Sequence, residues 1–94
     1  MDSQASNVPA RKLGNGEKIP PDVLNSISRN SATYYRLVPI GKKDGVLEVG
    51  MVDPANLEAR DALQFIASKL GLPFKIFQIS EADYNTVIGR FEKF

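Results

Sequence analysis

From residue 19 onward, apolar positions along this chain recur at two periods, and the switches between them divide the sequence into elements. "IPPDVLNSISRNSATYY" (19–35) opens on two prolines, a favourable helix start, and sets Val23, Leu24 and Ile27 at helical spacing. The Ser/Asn cluster from Ser26 to Ser31 weakens that helix and predicts a break, followed by a second short turn to Tyr34 and Tyr35. "YRLVPI" (35–40) reads as a strand, "GKKDG" (41–45) as a turn with Gly45 at a positive-φ position, and "VLEVGMV" (46–52) as the returning strand. That strand is apolar on both parities, which predicts cover on both faces, and Gly50 within it marks a close approach. Before these elements, "VPARKL" (8–13) predicts a short edge strand and "GNGEK" a loop.

The run "VGMVDPANLEARDALQFIASKLG" (49–71) turns from strand to helix at Asp53-Pro54. Such a junction can hold a phosphate at the helix N-terminus, or it can be architecture alone, with Asp53 as cap and Pro54 as the first helical residue. Ala59, Leu63, Ile66, Ala67 and Leu70 share one stripe, and Gly71 with Pro73 beyond it stops the helix. "PFKIFQI" (73–79) follows as a strand. Ser80 and Asp83 form a capping arrangement for a last helix with Tyr84, Val87, Ile88, Phe91 and Phe94 on one stripe. The expected core includes Leu63, Ile66, Leu70, Val87, Ile88 and Phe91. The expected fold is α/β (α+β), a small mixed three- or four-stranded sheet with helices packed on it. Residues 1–7 form a disordered lead and 8–94 a single domain. A strand–helix–strand unit over 46–79 crosses right-handed if its strands are parallel in one sheet.

Composition narrows the chemistry. The 94 residues are 43% hydrophobic and 24% charged, with twelve Lys and Arg against eleven Asp and Glu, a net charge of +1. That balance provides no long-range field to gather nucleic acid or anionic lipid. Neither cysteine nor histidine occurs, which removes disulfides, thiolate nucleophiles, the commonest transition-metal ligand and the usual general base. No apolar run approaches the ~20 residues of a membrane span, and the polar start lacks the apolar centre of a signal peptide, so a cytoplasmic setting is expected.

Sequence motifs for catalysis fail on inspection. Gly41-Lys42 lacks the earlier glycine of a P-loop, since Arg36 stands there, and Lys43 occupies the Ser/Thr position. Gly14 and Gly16 lack the strand-to-helix setting of a dinucleotide fingerprint. Asp53, Glu58 and Asp61 sit where helix starts favour acids, so no catalytic or metal residue is assigned. Arg11, Lys12 and Lys18 cluster, but acidic residues are interspersed and only Tyr34, Tyr35 and Phe65 could stack bases; nucleic acid is not expected as a partner. Phe65 lies roughly 200° from Leu63 on the helix, so it is either covered by a second element or presented to a partner.

Taken in order, Ile19-Pro20-Pro21, "YRLVP" at 35–39, Leu47 to Pro54, "ALQF" at 62–65 and "AD.NTVIGRF" at 82–91 make the chain similar to a known family. It resembles the N-terminal domain of the type II secretion and type IV pilus assembly ATPases, the GspE/PilB group. The match runs over residues 8–94 and rests on the ordered set. The resemblance implies a non-catalytic docking and regulatory domain, joined to a downstream hexameric ATPase core of its own chain. It implies contact with the cytoplasmic domain of an inner-membrane platform protein, and hence a cytoplasmic location peripheral to that membrane without insertion into it. The candidate partner surface is the outer side of the 54–70 helix, with Glu58, Asp61, Phe65 and Lys69, together with Lys42 and Lys43 in the turn. No cofactor is assigned from the residues. Some members of the family bind cyclic di-GMP through repeated motifs that open Arg-Leu-Gly and continue with paired aliphatic residues. Lys12-Leu13-Gly14 is similar to that opening, Glu17 and Lys18 stand in place of the aliphatic pair, and a second copy is absent. Cyclic di-GMP binding, which the resemblance implies for some members, is the alternative role.

Overall fold

The computed structural model describes residues 8–13 and 19–91, with the side chain of residue 91 outside the description. Seven elements follow in chain order: α1 (Pro21–Leu24), α2 (Arg29–Tyr35), β1 (Leu37–Lys43), β2 (Val46–Met51), α3 (Leu57–Leu70), β3 (Phe74–Gln78) and α4 (Glu81–Phe91). The expected mixed sheet is present with three strands in the order β1-β2-β3, β1 antiparallel to β2 and β2 parallel to β3. The segment expected as an edge strand at 8–13 forms a single parallel bridge, Ala10 to Gln78. There the Arg11 amide donates to Gln78 O and the Gln78 amide donates to Pro9 O, both at 2.9 Å. Residues 1–7 and the 14–18 loop lie outside the described residues.

Local chemistry explains each boundary. Pro21 opens α1, and the chain breaks at Asn25 to Ser28 as the Ser/Asn cluster predicts. The same cluster also starts α2, since the Ser28 side chain accepts from the Ser31 amide at 3.1 Å. Tyr35 is the last residue of α2 rather than the first of the strand. Arg36 follows in the left-handed region with φ 56° and caps it. The hairpin is tighter than a five-residue turn. Asp44 and Gly45 carry φ of 54° and 78°, the primed geometry that suits a two-residue loop, so Lys42 and Lys43 end β1.

Asp53 does not cap α3, and Pro54 does not begin it. Asn56 is the cap, its side chain accepting from the Ala59 amide at 3.1 Å. Asp53-Pro54 instead builds a turn one step upstream. The Asp53 carboxylate accepts from the Ala55 amide at 3.2 Å and the Asn56 amide donates to Asp53 O at 3.1 Å, with Pro54 at the turn position its fixed φ favours. Arg60 Nε donates to Pro54 O at 2.7 Å and ties the turn to the helix. At its far end α3 closes on Gly71, φ 71°, with the Leu72 amide reaching back to Ala67 O, a Schellman arrangement. The Ser80 hydroxyl caps α4 by accepting from the Asp83 amide at 3.1 Å.

The pleat sorts the sheet into two faces. Leu37, Pro39, Leu47, Val49, Met51, Phe74 and Ile76 share one, and Val38, Glu48, Gly50, Lys75 and Phe77 the other. In the central strand β2, Leu47, Val49, Gly50 and Met51 are all buried, so cover on both faces holds. Gly50 is approached not by a helix but by Ile79: a Cβ there would sit 2.8 Å from Ile79 Cδ1. α1, α2 and α4 pack on β1, and α2 also touches α3 and α4. Leu63 and Val87 are buried as expected, at 0% and 1% exposure. Ile66 and Ile88 are half-buried, packed against the core. Leu70 is not core: at 39% exposure it lies at the open end of α3, past the last buried turn at Ala67. Phe91 and Phe94, expected on the buried stripe of α4, fall outside the described side chains.

Candidate partner surface

α3 buries Ala59, Leu63 and Ala67. Successive residues step ~100° around the axis, so the opposite side must face outward. Glu58, Asp61, Phe65 and Lys69 all fall on that outward side and all are exposed. Phe65 retains 64% of its surface, a large apolar ring left uncovered by the domain's own elements. Lys69 Nζ lies 5.2 Å from the Phe65 ring centroid, one turn along the helix.

The neighbouring helix completes the surface. A shallow groove of about 410 Å³ runs between α2 and α3, lined by Ser31 and Tyr35 from α2 and by Glu58, Asp61, Ala62, Phe65 and Ile66 from α3. Tyr35 and Ile66 give the groove an apolar floor, and the charged groups lining it are both carboxylates. Tyr34 stands beside Tyr35 edge-on, centroids 4.8 Å apart at 86°, and is 70% exposed. Leu57, in the first turn of α3, is 73% exposed. Tyr35 is thus a lining residue of the groove that the sequence pattern did not assign, and Tyr34 lies on an adjoining depression with Asn30, Ser31 and Thr33. Recognising Ser28 as a cap would have found the tyrosines, because it places both in the last turn of a real helix.

The other candidates lie elsewhere. Lys42 and Lys43 sit at the hairpin end, in a depression with Arg11, Asp22 and Glu48 that shares no lining residue with the α2–α3 groove. Lys12 and Leu13 line a wider depression of about 870 Å³ with Gln78, Ser80 and Asp83. Leu13 itself is core, 8% exposed, and its amide donates to the Asp83 carboxylate at 2.9 Å. Arg11 reaches Glu48 at 3.5 Å, with its guanidinium 5.2 Å from the Phe77 ring centroid. Lys18 is outside the described residues. Among the described residues, no group of three potential ligands is placed to hold a metal ion, and no helix is long and apolar enough to cross a membrane.

Behind this face, α4 is tied to α2 by a buried polar contact. The Tyr84 hydroxyl donates to Ala32 O at 3.2 Å, and the Arg36 guanidinium lies 5.0 Å from the Tyr84 ring centroid while pairing with Glu81 at 2.7 Å. Burial pushes the Tyr84 phenol above its ordinary value, with Arg36 and then Arg29 pulling the other way.

No curated protein matches the chain. Among solved structures it is similar to MshE with cyclic di-GMP, at TM-score 0.70 and 20% identity over 97% of this chain and 61% of that one. It is also similar to the N-terminal domain of XpsE in two crystal forms. One gives TM-score 0.71 at 21% identity, the other 0.69 at 24%, each over 95% of this chain and 60% of the other. The chain therefore spans about three fifths of the length of these solved structures, and at such identities they share its fold. The MshEN domain family matches residues 10–94, nearly the whole range over which the ordered sequence features suggested a relationship. With family and fold in agreement, the chain belongs to the MshEN domains, the N-terminal domains of GspE/MshE-type secretion ATPases.

Proposed function

We propose that this chain is a non-catalytic docking and regulatory domain. It tethers a downstream type II secretion or type IV pilus assembly ATPase core to the cytoplasmic domain of an inner-membrane platform protein. It acts at the cytoplasmic side of that membrane, peripherally and through its partner. The observation that carries the reading is Phe65, exposed beside a groove whose floor is apolar and whose charged groups are carboxylates. Interfaces draw most of their energy from a few aromatic or arginine anchors, and an aromatic on a rigid helix needs little ordering to serve as one. Lys42 and Lys43, on their separate depression, belong to the proposal only as a secondary contact. Calorimetric titration with the platform's cytoplasmic domain tests it. Phe65→Ala should weaken binding by about 1–2 kcal/mol with the melting temperature nearly unchanged. Equal affinity for both proteins, or loss of folding in the variant, would refute the surface.

A second reading is binding of cyclic di-GMP, the ligand with which MshE was solved. The depression beside Lys12 has room for a ligand of that class. Leu13 is a poor probe of it, because its side chain belongs to the core. Lys12→Ala, at an exposed position, is the discriminating variant: micromolar binding of cyclic di-GMP that the substitution abolishes would support this role. Absence of binding to the unmodified chain would remove it.

A further inference from the structure

The outer ridge of α3 is complementary to itself. Asp61, Phe65 and Lys69 follow one another at intervals of four, all exposed, so an acid, an aromatic ring and a base lie along a single ridge with the ring at its centre. A twofold axis through Phe65 that sets two such helices antiparallel brings Asp61 of each copy opposite Lys69 of the other. Glu58, one turn before Ala62 on the groove side, adds a second carboxylate to the same end. Ridges at i, i+4 interlock in the commonest class of helix packing, at about −50° between axes.

The geometry points to a second copy of this chain as an occupant of this face, in an antiparallel α3–α3 pair centred on Phe65. This goes beyond the docking reading and does not depend on it. Where both hold, the pair covers the anchor ring, and self-association competes with capture by the platform partner. One helical face of 14 residues buries less than the area of a stable dimer, so the pair is a weak one, with Kd on the order of 0.1–1 mM.

Sedimentation of the 94-residue chain across micromolar to millimolar concentration tests the pairing directly. The unmodified chain should show reversible monomer–dimer behaviour. Asp61→Lys and Lys69→Asp, each alone, place like charges at both ends of the twofold contact and should weaken it by about tenfold or more. Mixing those two variants restores opposite charges at both ends, and association should return in the mixture. Phe65→Ala should abolish it without lowering the melting temperature. A chain that stays monomeric throughout, association indifferent to either charge reversal, or a mixture no tighter than its components would overturn the pairing. Platform binding that survives such a result leaves the docking reading standing, so the two fail separately.

Discussion

Tyr84 is the residue where packing and titration meet. Its ring is buried, and its hydroxyl donates to the Ala32 carbonyl of α2, which also accepts from the Arg36 amide that closes the helix. A phenol whose folded value is raised stays protonated in the folded protein after it ionises in the unfolded chain. Its contribution is therefore complete below the unfolded value of about 10 and is lost as pH climbs from there through the raised folded value. Denaturant titrations across that alkaline range should show a fall in stability that Tyr84→Phe diminishes. At neutral pH the same substitution should cost about 0.5–1.5 kcal/mol for the lost hydrogen bond. An identical alkaline fall in both proteins would assign it to other groups. Gly50 makes a different kind of demand. Any Cβ would meet Ile79 at three carbons between 2.8 and 3.2 Å, and Ile79 is itself 3% exposed and cannot swing into solvent. Gly50→Ala should then destabilise by about 1–3 kcal/mol in chemical denaturation, and a neutral result would mean that β2 and Ile79 separate more easily than their packing implies.

At the level of elements, α3 is the best test of how far periodicity carries. Its buried stripe as far as Ala67 and the position of Phe65 across the helix from Leu63 were legible at 3.6 spacing, and its stop was legible from Gly71 itself. Its first residue was not, because Asp53 and Asn56 are both good caps and Pro54 argues for the earlier one. The choice falls to Asn56 because the Asp53 carboxylate is engaged by the Ala55 amide in the turn. A similar local competition hid α2: serines and asparagines weaken a helix interior, yet Ser28 placed first becomes its cap. Leu70 read as core by period alone, but periodicity fixes a direction and says nothing of whether a neighbour is there to meet it. Leu63, at the centre of the stripe and fully buried, is where truncation should hurt most. Leu63→Ala should cost on the order of 2–5 kcal/mol in thermal or chemical unfolding. A cost near that of a surface substitution would contradict the packing of α3.

For the whole molecule, family membership places the chain among the N-terminal domains of GspE/MshE-type secretion ATPases, and contact through α3 is the role proposed for it. The sequence offered the outer side of α3, with Phe65, as one part of the candidate partner surface, and the structure leaves Phe65 exposed there. The contribution of α2 could not be read from it, since the groove exists only once Tyr35 and Ile66 are brought together by tertiary packing. The hairpin lysines were placed with α3 in the candidate surface, and the structure sets them on a depression of their own. The most direct measurement is an amide-shift titration of the isotope-labelled chain with the platform's cytoplasmic domain. The account requires the largest perturbations at Tyr34, Tyr35 and along Glu58 to Ile66. Perturbations confined to the hairpin at Lys42 to Gly45, or to Arg11 to Leu13 and the start of α4, would contradict it.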